Sequence, residues 1–136
     1  MRIFQDCTGE IKVLNDKCIE QFLCIQSIDD ETGFIDPCLF WLKLKEENNW
    51  HRFSVDDILC AWSIYQSLDE TDFEDGGDFP SFDMCKVFNL KDLKIDSIKV
   101  FDINGLVHLL LKFYNSTNLL IEYTKNDRIK ITKTIN

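Results

Sequence analysis

Two apolar-rich segments meet at Asn104-Gly105: Lys94-Ile95-Asp96-Ser97-Ile98-Lys99-Val100-Phe101 before it and residues 106–114 after it. Asn-Gly is the dipeptide that best supports a two-residue hairpin turn, because both residues tolerate positive φ. The segments on either side are therefore expected to pair as antiparallel strands. Downstream, Asn115-Ser116-Thr117-Asn118 has turn chemistry, residues 119–124 form a third strand-like run, and Lys125-Asn126-Asp127 turns again. Residues 128–135 then alternate bases or hydroxyls with isoleucine, a period of two with one face buried and one in water. Four strands joined by short turns make a C-terminal β-meander.

Working back toward the N-terminus, residues 10–14 and 17–28 read as a strand pair around Asn15-Asp16. Residues 38–45 and 50–53 read as two further strands around the turn Glu46-Glu47-Asn48-Asn49. Ser54-Val55-Asp56-Asp57 resembles a helix start, with a hydroxyl to accept from the first-turn amides and two aspartates at the positive end. Val55, Ile58, Leu59, Trp62 and Tyr65 follow at helical spacing, so residues 54–68 are expected to be a largely buried helix. The alternative is a buried strand over 58–65. The expected class is α+β: predominantly antiparallel sheet, a C-terminal meander and one main buried helix, in a single domain spanning 1–136. Hydrophobic residues make up 45% of the chain and eleven are Phe, enough for a real core without cross-links.

No apolar run approaches the roughly 20 residues that span a bilayer, and the first residues lack a secretory signal pattern. A cytoplasmic location without membrane association is expected. On that basis the six cysteines read as small buried thiols rather than three disulfides.

Chemistry-bearing motifs are sparse. There is no Cys-x-x-Cys and no His-x3-His for zinc, and no phosphate loop, nucleophile elbow or dinucleotide fingerprint. An EF-hand register on Gly76 or Gly77 puts non-carboxylates at required ligand positions. Cys60 with His51 is the one thiol–imidazole pair to check. Its plainer reading is a buried thiol and a histidine on the surface of a strand. The expectation is a non-enzyme with no metal and no cofactor.

Charge carries more information. The net charge is −9, and it is segregated. Residues 53–85 hold nine acids and no Lys or Arg, whereas residues 86–136 hold nine bases and five acids. Net acidity works against phosphate neutralisation, so direct nucleic-acid binding is not expected. Lys130 and Lys133 read as solvated positions on an edge strand. The acidic residues Asp69, Glu70, Asp72, Glu74, Asp75 and Asp78 are interleaved with Phe73, Phe79 and Phe82 around Gly76-Gly77 and Pro80. Aromatic anchors ringed by charge suit a protein interface, the charges raising the association rate and the rings supplying affinity. Pinning the segment to the core is the other use for those rings.

A small acidic domain with a β-meander, this acidic-aromatic stretch and no catalytic signature resembles the bacterial immunity proteins of contact-dependent and other polymorphic toxin systems. The resemblance implies a one-to-one complex that blocks a toxin domain, often a basic nuclease. The expected partner-binding residues are Asp69, Glu70, Asp72, Phe73, Glu74, Asp75, Asp78 and Phe79, with Phe73 and Phe79 as anchors. A phage-encoded decoy whose carboxylates imitate nucleic-acid phosphates is the alternative.

Overall fold

The computed structural model describes residues 2–5, 9–25, 34–35, 38–55, 60–67, 82–124 and 128–135. Strands β1 (Arg2–Gln5) and β2 (Gly9–Glu10) lead into a single 3-10 turn, Lys12–Leu14. Next come β3 (Ile19–Cys24), β4 (Phe34–Ile35), β5 (Cys38–Leu44), β6 (Trp50–Val55) and β7 (Cys60–Tyr65). After β8 (Phe82–Asp83), the short helix α1 (Met84–Phe88) is the one α-helix among the described residues. The chain then forms β9 (Ile95–Ile103), β10 (Leu106–Phe113), β11 (Thr117–Tyr123) and β12 (Ile129–Ile135).

These strands make two six-stranded sheets, with every pairing antiparallel. The first has the order β1-β7-β6-β5-β3-β8 and the second β2-β9-β10-β11-β12-β4. The expected meander is present as β9 to β12. Its first turn has both central residues at positive φ, Asn104 at 54° and Gly105 at 82°, the hand that matches the twist of the flanking strands. Asp102 Oδ1 accepts from the Gly105 amide at 2.8 Å.

One buried cluster joins the sheets. Phe22, Phe40, Leu42, Leu44, Phe53 and Trp62 of the first sheet pack in it with Ile98, Val100, Val107, Leu109, Leu111, Leu119 and Ile121 of the second. The first sheet also buries its other face in part, where Ile25, Trp41 and Trp50 form a separate cluster against Leu23, Leu39 and Tyr65. There the Arg52 guanidinium lies over the rings of Trp41 and Tyr65, at 5.8 and 5.9 Å.

Several expectations are overturned. The helix over 54–68 is not formed: Ser54 and Val55 end β6, and residues 60–65 are β7, paired antiparallel with it from Val55↔Cys60 to Trp50↔Tyr65. The competing strand reading is the observed one over 60–65. The N-terminal pair also fails, because Gly9–Glu10 joins the second sheet and Ile19–Cys24 the first. Between them the chain runs along β9, with the Ile11 amide on the Ile98 carbonyl and the Asp16 amide on that of Ile95. The loop therefore changes sheets instead of folding back on itself. Lys130 is exposed as expected, but β12 is not an edge strand, because β4 pairs with it at Ile129 and Lys130, and Lys133 is half-buried and donates to the Phe88 carbonyl at 2.6 Å.

Candidate functional site

All eight expected partner-binding residues, Asp69, Glu70, Asp72, Phe73, Glu74, Asp75, Asp78 and Phe79, lie outside the described residues. The strands to which the acidic stretch attaches are described. Tyr65 ends β7, second from one edge of the first sheet, and Phe82 opens β8 at the opposite edge, with β6, β5 and β3 between. Phe82 is half-buried against the common core, so the last of the three interleaved rings serves as an anchor to the fold. Asp83 has a structural use as well: its side chain caps α1 by accepting from the Lys86 amide at 3.2 Å.

Among the described residues, polar groups converge at the end of the first sheet from which the acidic stretch departs. Tyr65 pairs with Trp50 there, and Trp50 follows the turn that carries Lys45, Glu46 and Glu47. That turn meets two others. The Lys45 amide donates to the Cys18 carbonyl at 2.9 Å, the Asp92 amide donates to that of Ile19 at 2.9 Å, and Cys18 bridges Lys94. Each turn puts an acidic residue at positive φ: Asp16 at 68°, Glu46 at 67° and Asp92 at 70°. Between the first two lies an open cleft of about 380 Å³ lined by Asp16, Lys17, Cys18, Lys45, Glu46 and Glu47.

Most charges in the cleft are paired. Lys17 binds Glu47, Lys45 binds Asp92, and the Tyr114 hydroxyl donates to Asp16. Hydrogen bonding to Lys45 holds the Asp92 carboxyl below its usual range, and Asp92 in turn raises the Lys45 ammonium. The bond to Asp16 raises the Tyr114 phenol.

Behind the cleft the pairing continues inward. Glu47 Oε1 lies 3.1 Å from His51 Nε2, and the Trp62 indole N–H donates to His51 Nδ1 at 3.1 Å. An indole nitrogen only donates, so His51 Nδ1 must accept, and the ring's one proton sits on Nε2 facing Glu47. The two rings stack 5.8 Å apart at an interplanar angle of 19°. His51 is thus not the surface histidine expected from sequence. It is 4% exposed on the core-facing side of β6, opposite Leu42 and Ile64. Burial lowers its pKa from 6.5, against the opposing pull of Glu47. Burial would raise Glu47, but the bonds from Lys17 and His51 outweigh it and the carboxyl titrates below 4.5.

Chemically, this arrangement holds and orients. Both His51 nitrogens are engaged, so the ring offers no open lone pair to a substrate. Cys60 is no partner for it: Cys60 pairs with Val55 at the far end of the β6–β7 ladder. The four-residue separation along β7 from the His51 position amounts to about 13 Å. Burial first, and then the Asp83 carboxylate, push the Cys85 thiol up to about 11, which keeps it protonated and poorly nucleophilic. Cys18, Cys24, Cys60 and Cys85 are thiols. Among the described residues no group of three or more His, Cys, Asp or Glu is placed to hold a metal ion, and no helix is long and apolar enough to cross a membrane.

Comparison of the chain with protein-family models, curated proteins and solved structures found no match.

Proposed function

We propose that the protein is a non-catalytic binding module of the immunity type, which neutralises a basic toxin domain through its acidic, phenylalanine-containing stretch at 69–79. The observation that carries this reading is the charge segregation: nine acids and no bases over residues 53–85 in a chain of net charge −9. A concentration of one sign raises association rates with an opposite partner by about 10-fold to 10³-fold. Phe73 and Phe79 supply the apolar anchors that such an encounter needs to become a long-lived complex. The attachment of the stretch to two strands at opposite sides of one sheet supports the reading, since rigid strands are good supports for a recognition segment. So does the engagement of His51, which leaves the best acid–base candidate occupied. A cytoplasmic setting is part of the proposal, as the partner is met inside the producing cell.

The test begins with the DNA flanking the gene, where an adjacent large open reading frame with a variable C-terminal domain supplies the partner. The expected result is a one-to-one complex whose association slows by about 10-fold or more when Asp72, Asp75 and Asp78 are all changed to Lys. Unchanged association would remove the stretch from the interface, and displacement of the partner by duplex DNA would favour the decoy reading.

A further inference from the structure

The Trp62–His51–Glu47–Lys17 chain crosses from the common core to the cleft. Trp62 and His51 lie on the core-facing side of β7 and β6, Glu47 sits on the turn before β6, and Lys17 on the segment before β3. Glu47 and Lys17 both line the cleft. The chain works in one direction only, because its innermost member is an obligate donor. His51 satisfies it as a neutral ring and in no other form. A second proton would have to enter at Nδ1, the atom facing the indole N–H.

We propose that this chain is an acid-sensitive latch: a proton taken from solvent onto His51 Nδ1 breaks the Trp62 bond, and the resulting imidazolium draws on Glu47 so that the turn carrying it, and with it the cleft, changes shape. The groups that bear on the ring come from each neighbouring element. Glu47 from the 44–50 turn favours the imidazolium, and Lys17 beyond it disfavours it. The indole of Trp62 on β7 opposes a second N–H. The cross-strand neighbours Leu42 on β5 and Ile64 on β7 carry no charge. In the neutral state Glu47 is shared between Lys17 and His51, so a cationic His51 alters the Lys17 pairing at the cleft wall. Such a device gives a cleft whose shape is set at neutral pH and released in acid.

The experiment follows the Trp62 indole N–H and the backbone amides of Lys17, Lys45, Glu46 and Glu47 by ¹⁵N–¹H correlation spectra between pH 8 and 5, in the parent and in His51→Gln. Glutamine can accept from the indole and donate to Glu47 but does not titrate. In the parent, the indole and the cleft amides are expected to shift together with one midpoint below 6.5, the ordinary histidine value. In His51→Gln both are expected to stay flat over that range. Trp41 and Trp50, in the separate cluster on the other face, are expected to stay flat in both proteins. An indole signal that does not move in the parent overturns the latch. So does a titration that survives in His51→Gln, since Glu47 or Lys17 would then be its source. Movement of the indole without the cleft amides overturns the coupling to the cleft.

Discussion

In the second sheet, β9, β10, β11 and β12 pair in chain order through short turns, and their core face is mostly aliphatic: Ile98, Val100, Val107, Leu109, Leu111, Leu119, Ile121, Ile129 and Ile131, with Phe113 at the end of β10. In the first sheet, β1 pairs with β7 and β3 with both β5 and β8, and the core face carries Phe22, Phe40, Phe53 and Trp62 with a buried histidine among them. The second sheet places one face on the core, while its other face is mixed: Lys99, Lys112 and Lys130 are exposed, Leu110 and Leu120 are half-buried, and His108 is buried beside Glu122 and Phe101. The first is also partly covered on its other face by the Trp41–Trp50 cluster. Local pairing and one-sided burial need only alternation and turn residues. Both sheets bury polar side chains, His51 and Ser63 in the first and Ser97, His108 and Thr117 in the second, but the chain of hydrogen bonds from Trp62 through His51 to Glu47 runs in the first.

The sharpest way to break this comparison is to remove a large side chain from each half of the shared core. Phe40→Ala in β5 is expected to cost about 3–5 kcal/mol and Leu109→Ala in β10 about 2–5 kcal/mol, since both side chains are fully buried. Because they belong to one cluster, denaturant unfolding should remain a single transition for each variant, seen alike by tryptophan fluorescence and far-ultraviolet dichroism. Separate transitions would mean that the sheets are independent units. The next effect is confined to the first sheet. Trp62→Phe keeps an aromatic ring but leaves His51 Nδ1 without its donor, and is expected to cost about 1–3 kcal/mol by chemical denaturation.

A pH series sharpens the contrast further. His51 has a lowered pKa in the folded state, so the unfolded chain binds more protons as pH falls through 6.5. Stability is full above that value and is lost progressively as pH drops toward the folded-state value. Glu47, lowered from 4.5, adds a second loss that starts at more acidic pH and ends at its own folded-state value. In a urea series the midpoint is expected to decline in both windows for the parent, and in the lower one alone for His51→Gln.

The same contrast explains what is legible in the sequence. The meander is, because Asn104-Gly105 and the alternation over 128–135 each admit one structure. β7 is not. In Cys60-Ala61-Trp62-Ser63-Ile64-Tyr65 the inward Trp62 and Ile64 alternate with outward residues that include Tyr65, which packs in the second apolar cluster. A run that is apolar on both faces fits a period of 3.6 as well as 2, and the Ser54-Asp56-Asp57 capping pattern tips it toward helix. His51 is hidden for a related reason: Trp50-His51-Arg52-Phe53 has no clean alternation to say which face is inside. Its partner Glu47 is four residues away, but Trp62 is reached only across the β6–β7 pairing, which the helical spacing conceals. The polar cleft needs turns from well-separated parts of the chain, and no local pattern announces their meeting.

The turns themselves supply the smaller effects. Gly105 sits at φ 82°, and a Cβ added there would meet nothing within 4 Å. It should accept Ala at the cost of backbone strain alone, about 1 kcal/mol. The cleft turns already contain that kind of strain, with Glu46 exposed at φ 67°. Glu46→Gly relieves a left-handed conformation that costs about 1–2 kcal/mol in a residue with a Cβ, while adding about 0.5–1 kcal/mol of chain entropy to lose on folding. The second partly offsets the first, and the expected net change is a stabilisation of at most about 1.5 kcal/mol, read from the urea midpoint. A larger gain would mean that the 44–50 turn is held under tension by the contacts around it, with Glu47 on His51 foremost. In that case Glu46→Gly should also stabilise Trp62→Phe by less than it stabilises the parent, because the inner end of the chain has already been cut.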